Sequence, residues 1–175
     1  VAMLNTSLIE GSSNPAVIEQ SFGGVGRNVA EATARLGSPT ALIASIGADV
    51  LGDALIADAK SCGIDTRAMT QNTGVRTAAY MGVHCVGGEL HIGAADMSSL
   101  DSLTPSIIRI QKHAIVNAEI VVCDANLRDD TFEEVANIAS EHGVPLAFEP
   151  TTDHKAIQPV RLGILHKFSV LKPNL

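Results

Sequence analysis

The sequence predicts an α/β fold: a parallel sheet flanked by helices, with a small β element beside it. Strand-like and helix-like patterns alternate from about residue 17 onward, and such alternation builds parallel sheets through right-handed crossovers. Hydrophobic residues make up 46% of the chain but aromatics only 3%, with one Tyr and no Trp, so the core is aliphatic. That composition suits a sheet covered by helices. A paired strand pattern around Gly87-Gly88 breaks the alternation and supplies the separate β element.

Taken in order, residues 17–21 read as a short strand. Residues 27–36 read as a helix, stopped by Gly37 with Pro39 beyond it. Val29, Thr33 and Leu36 share one of its faces, and Arg27, Glu31 and Arg35 stand four apart, where their charges pair. Residues 40–46 are an almost unbroken apolar run, read as one buried strand. A helix over 51–62 ends at Gly63. Residues 77–86 and 89–94 form the hairpin. A helix over 106–114 follows Pro105, and residues 119–123 are a buried strand. Asp130 opens a further helix with Glu133 three residues on, as in a capping box. Phe132, Val135, Ala136 and Ala139 are its apolar face, and Gly143 stops it. Strands over 145–148 and 168–171 complete the series.

With 175 residues the chain is long enough for one domain with a sizeable core. Lys plus Arg is 12 and Asp plus Glu is 19, a formal net charge of −7. That balance repels phosphate backbones and anionic membrane surfaces, which disfavours nucleic-acid polymers and leaves a small neutral ligand. Cys62, Cys85 and Cys123 are odd in number and far apart, as expected of small buried hydrophobes in a reducing cytosol. A cytoplasmic location is expected. No apolar run approaches a membrane-spanning helix. The first residues lack the basic start and long apolar stretch of a signal peptide, and the chain, beginning with Val, reads as a piece of something longer. Six histidines show no metal-ligand spacing, and His142 suits a helix end. Asp129 and Asp130 read as helix-capping acids, and Lys155 and Arg161 as ordinary surface charges. Asp49 either caps the helix after it or shapes a pocket.

The most informative stretch is Ser21-Phe22-Gly23-Gly24-Val25-Gly26-Arg27-Asn28-Val29-Ala30. A strand enters three glycines and a helix leaves them. Glycine lets a backbone approach a ligand closely, a helix start offers free N–H groups, and the Asn28 amide both donates and accepts. A dinucleotide fingerprint does not fit, because counting from Gly24 its third glycine falls on Val29. No Gly-Lys-Ser/Thr follows, which excludes a P-loop. A purely structural turn is the competing reading.

Gly23-Gly24-Val25-Gly26-Arg27-Asn28-Val29-Ala30, continuing to Ala34-Arg35-Leu36-Gly37, resembles the N-terminal signature of the PfkB (ribokinase-like) carbohydrate and nucleoside kinases. Ile46-Gly47-Ala48-Asp49-Val50-Leu51-Gly52 is similar to the next family element, and Lys172-Pro173-Asn174 to its Thr-Pro-Asn. Within the family the likeness is to pseudouridine kinases, including those fused to pseudouridine-5'-phosphate glycosidases. Ser13-Asn14-Pro15, Ala95-Asp96-Met97, Asp124-Ala125-Asn126-Leu127 and Phe148-Glu149-Pro150 carry it. Adenosine, ribose or another sugar remain open as substrates.

The resemblance implies a ribokinase-like Rossmann-type sheet lacking its C-terminal part, with lid strands at about 17–22 and 77–95 and an α/β core elsewhere. It implies ATP and Mg²⁺ in the full-length enzyme, a nucleoside or sugar as partner, and a possible homodimer through the lid strands. By motif match, Gly23, Gly24, Asn28 and Asn126 contact the sugar, and Glu149 and Asn174 lie near the phosphates and Mg²⁺ through water. Asp96 either orders the lid or contacts substrate. The family's sugar-binding Asp is not found in residues 1–8, and Lys172 stands where Thr is usual. The Gly-Ala-Gly-Asp motif that carries the family's catalytic base is expected beyond Leu175, so no catalytic residue is assigned and these residues alone are expected to be inactive. The alternative is a non-catalytic sugar-binding or assembly module derived from such a kinase.

Overall fold

The computed structural model describes residues 1–173. In chain order the elements begin with β1 (Ala2–Leu4), β2 (Ala16–Ile18), α1 (Val25–Arg35), β3 (Thr40–Ala41), β4 (Ala44–Gly47) and α2 (Val50–Ser61). Next come β5 (Ile64–Asp65), β6 (Met69–Asn72), β7 (Ala79–His84), β8 (Leu90–Asp96), α3 (Pro105–Ile110) and α4 (Lys112–Val116). The last are β9 (Val121–Asp124), α5 (Asp129–Glu141), β10 (Leu146–Glu149), α6 (Asp153–Ala156), α7 (Gln158–Arg161) and β11 (Val170–Leu171).

The chain divides into two compact units. One comprises Val1–Phe22 and Ala78–Met97. Its sheet has the order β2-β1-β7-β8. β1 pairs antiparallel with β2 and parallel with β7, and β7 pairs antiparallel with β8. Gly87 and Gly88, at φ 106° and 91°, turn the hairpin as their pairing in the sequence predicts. At Gly93 a Cβ would lie 2.5 Å from the Tyr80 hydroxyl, so the glycine leaves the space the tyrosine ring occupies across the hairpin.

Gly23–Thr77 and the described residues from Ser98 onward form the other unit. Its strand pairs are all parallel: β3 with β5, β4 with β6, and β11-β10-β9. The predicted strand over 40–46 is two strands with different partners, and β1, β5 and β6 were not predicted. The helix over 106–114 is two, α3 and α4, broken at Gln111. One apolar cluster surrounds α5, where Phe132, Val135, Ala136 and Ala139 are buried as the periodicity predicts. Phe132, Phe148 and Phe168 meet there with ring centroids 5.3–5.7 Å apart. Three of the chain's four phenylalanines thus share one contact, which makes the core less purely aliphatic than composition implies. The other cluster joins Ala30, Ile46, Ala59, Ile64 and Met69. Ala30 and Ala34 are the packed side of α1; Leu36 is 86% exposed and lies off it.

The capping box at α5 does not form. No side chain caps the helix, whose N-cap is Arg128. Asp130 accepts from the Thr131 N–H and pairs with Arg128, while Asp129 pairs with Arg161 and accepts from Gln158. Both acids still stand in the first turn, where the helix dipole favours them.

Candidate functional site

The glycine turn, Asn126 and Glu149 all belong to the second unit. Gly24 is the N-cap of α1, at φ 105° and ψ 133°, a conformation open to glycine. Gly23 is exposed, with nothing within 4 Å of a Cβ. The close approach the motif implies is made at Gly26. Its N–H donates to Asp124 Oδ2 at 2.9 Å, and a Cβ there would meet the same oxygen at 3.1 Å. The sequence reading expects this helix start to offer free N–H groups to a ligand; the Gly26 N–H is instead taken by the protein itself. A carboxylate of the protein holds it, placed where the dipole stabilises negative charge.

Asp124 ends β9, and its other oxygen, Oδ1, accepts from the Asn126 N–H at 2.8 Å. One carboxylate thus fixes both the glycine turn and the loop carrying Asn126. Asn126 Nδ2 reaches Thr151 Oγ1 at 3.5 Å, and Lys155 Nζ donates to Asn126 Oδ1 at 2.5 Å. Thr151 has φ 64°, and among the described residues no other non-glycine has positive φ. A β-branched residue held there is strained, a condition that clusters at functional sites. The Thr151 N–H donates to Glu149 Oε1 at 3.2 Å. Glu149, 4% exposed at the end of β10, meets Lys172 through Oε2 at 2.7 Å. Asn126, Thr151 and Glu149 therefore form one chain of contacts at the C-terminal ends of adjacent parallel strands, where open α/β sheets place ligands.

Asn28 is exposed and accepts from Arg27 Nη1 at 3.3 Å. Asn174 lies outside the described residues. Arg27 is structural: its guanidinium, 9% exposed, pairs with Glu31 and Asp58 and so links α1 to α2. Glu31 also pairs with Arg35, completing the predicted ladder and holding the Glu31 carboxyl below its usual range. Lys155 and Arg161 are not ordinary surface charges. Lys155 binds Asn126, Arg161 makes a two-pronged contact with Asp129, and both line a cleft of about 140 Å³ with Ala125, His154, Ile157 and Gln158.

Asp49 caps α2 through the Gly52 N–H at 2.8 Å and takes on a second task. It accepts from the Thr77 N–H at 2.8 Å and the Thr77 hydroxyl at 2.7 Å, and these donors with Gly52 hold its carboxyl below the usual range. Thr77 Oγ1 is also within 3.0 Å of the Gly47 N–H, which donates to it. A Cβ on Gly47 would lie 2.5 Å from the Thr77 nitrogen, and one on Gly52 2.2 Å from the Gly47 carbonyl oxygen. The stretch Ile46 to Gly52 is thus a knot that pins Thr77, the last residue before the chain leaves this unit.

Asp124, Thr151 and Lys155 were not singled out for the site. An Asp closing a buried apolar run beside a parallel-strand end was the available signal for the first; the backbone of Thr151 had none.

Parallel strands with the glycine turn and the Asn126–Thr151–Glu149 contacts at their C-terminal ends make this unit an α/β domain of the kind that places ligands at strand ends. A family model described as "pfkB family carbohydrate kinase" matches residues 5–175, and the chain belongs to that family. It is 28% identical over 168 residues to the pseudouridine kinase of Escherichia coli (96% of this chain, 52% of that protein). Identity to the pseudouridine kinase of Arabidopsis thaliana is 27% over 172 residues (97% and 44%). The solved carbohydrate kinase from Agrobacterium tumefaciens superposes with a TM-score of 0.87 at 30% identity, covering 97% of this chain and 55% of that one. The chain therefore spans about half the length of the curated relatives it matches. No helix among the described residues is long and apolar enough to cross a membrane.

Proposed function

We propose that this chain is the acceptor-binding part of an ATP-dependent kinase that phosphorylates the sugar hydroxyl of a nucleoside, taking pseudouridine to pseudouridine 5'-phosphate. The observation that carries the proposal is the double role of Asp124, which anchors the glycine turn and the Asn126 loop to one strand end. Likeness to two pseudouridine kinases supports the choice of nucleoside. Gly23, Gly24, Asn28 and Asn126 are assigned to the sugar hydroxyls, and Glu149 and Asn174 to the phosphate and Mg²⁺ side.

Mg²⁺ keeps several waters and takes one or two carboxylates plus substrate phosphates. Glu149, a single buried carboxylate at the end of β10, fits such a water-mediated role. The metal would neutralise charge on the phosphates of ATP. Lys172 beside Glu149 adds a cation on the same side.

Phosphoryl transfer needs positioning, charge stabilisation and a base within reach of the attacking hydroxyl. These 175 residues supply acceptor contacts, and we assign no base among them. The first unit is assigned the lid role by resemblance. Its exposed apolar residues Ile18, Tyr80, Met81 and Ile92 are our candidates for contact between two copies, which light scattering at rising concentration tests.

Titration calorimetry with pseudouridine, uridine, adenosine and ribose tests the acceptor assignment. Pseudouridine is expected to bind most tightly, and binding of none of the four overturns the reading. Incubation with pseudouridine, ATP and Mg²⁺ is expected to give no product; turnover rising with chain concentration overturns the assignment of these residues to the acceptor side alone.

A further inference from the structure

Lys155 lies in α6, four residues beyond the strained Thr151, and its ammonium donates to Asn126 Oδ1. An asparagine amide has one acceptor oxygen and two donor hydrogens on nitrogen. With the oxygen held by a cation, what Asn126 can offer a ligand is N–H. One hydrogen is directed at Thr151 Oγ1 across 3.5 Å, beyond the usual hydrogen-bond range. Among the described residues, the other has no protein partner. Lys155 also lines the cleft of about 140 Å³, together with Ala125, the residue before Asn126.

We propose that Lys155 is a positioning residue: it fixes the Asn126 amide with its nitrogen available, so that Asn126 recognises an acceptor oxygen of the sugar. The inference rests on the nucleoside-kinase reading for its ligand. A primary amide can rotate half a turn and exchange its oxygen and nitrogen, and the hydrogen-bond network decides between the two orientations. Only one of them presents Nδ2 while Lys155 is in place, because an ammonium has no acceptor. The ammonium also polarises the amide, strengthening N–H as a donor. Without Lys155 both orientations become accessible, and the hydroxyl oxygen meets a carbonyl part of the time.

NMR of the Asn126 side-chain amide decides the positioning claim without any ligand. Lys155→Met is expected to shift these resonances and Lys155→Arg, which keeps a cationic donor, to restore them. Signals unmoved by Lys155→Met overturn the inference, whether or not a nucleoside binds. Calorimetry with pseudouridine tests the consequence. Lys155→Met and Asn126→Ala each raise Kd by about tenfold, and the double variant is no weaker than Asn126→Ala alone. Additive losses overturn the inference, since they mean Lys155 acts independently of Asn126. Failure of the unmodified chain to bind any nucleoside refutes the kinase reading, while the amide signals still decide the role of Lys155.

Discussion

The backbone nitrogen of Gly26 and the carboxylate of Asp124 lie 2.9 Å apart although 98 residues separate them in the chain. The contact joins the first turn of α1 to the end of β9, and the second oxygen of the same carboxylate holds Asn126.

Asp124→Ala therefore removes two hydrogen bonds to a charged acceptor. Pseudouridine affinity should fall at least about tenfold and Tm should fall with it. Asp124→Asn keeps one accepting oxygen and should lie between the two. Calorimetry and thermal unfolding on the three proteins check the order; an Asp124→Ala variant that binds like the unmodified chain means the anchor is dispensable.

The knot around Asp49 has no room for a side chain at Gly52. Gly52→Ala should destabilise by about 3 kcal/mol, the range of overpacking changes, because backbone rather than a flexible side-chain tip must give way. Gly74→Ala is the control, since nothing lies within 4 Å of its Cβ; it should change stability by no more than about 0.5 kcal/mol. Denaturant unfolding of the pair gives the comparison.

Acid should weaken the fold through carboxyls held below their usual range, among them Asp49, Asp65, Asp129 and Asp130. A depressed carboxyl contributes stability above its unfolded pKa and loses it as pH falls through the folded one. For Asp65, held at about 2 by Arg67, that window runs from about 4 down to 2. The partners differ in kind. Asp65, Asp129 and Asp130 are held first by arginines, and these exposed pairs are screened by salt. Asp49 is held by neutral N–H and O–H donors. Acid unfolding in high salt should therefore keep a component that Asp49→Asn removes. A variant whose acid profile in high salt matches the unmodified chain would refute this.

Cys123 is fully buried in the cluster around α5, and burial pushes its thiol up to about 12. Cys62 and Cys85 are half-exposed. A thiol reagent should modify two cysteines of the native chain and reach the third only on unfolding, because the thiolate is the reactive form. Rapid modification of all three would show that the core around β9 opens readily.

Much of the helical framework was legible because glycines punctuate it. Gly37, Gly63 and Gly143 follow α1, α2 and α5 at positive φ, as the stop signals imply. The hairpin was legible from Gly87-Gly88 for the same reason. β1, β5 and β6 are two to four residues long, too short for a period-two pattern to register. The break at Gln111 has no proline or glycine to announce it. In the site, the family resemblance pointed to Asn126 and Glu149, but what orients them did not show. Beyond the local contacts that Asp124 and Thr151 make two residues away, Asp124, Thr151 and Lys155 act through pairings 25 to 98 residues apart, and sequence spacing carries no trace of those.

The first unit is woven from two distant stretches, and the parallel pairing of Ala2 with Val83 stitches them together. Trimming the opening 22 residues would strip β1 and β2 from that sheet and strand β7 and β8 as a lone ribbon, which is marginally stable at best in water. Any shortened version must carry both stretches or neither. A cut at Phe22 with a second deletion spanning Ala78–Met97, closed by a short linker from Thr77 to Ser98, is the excision this topology permits.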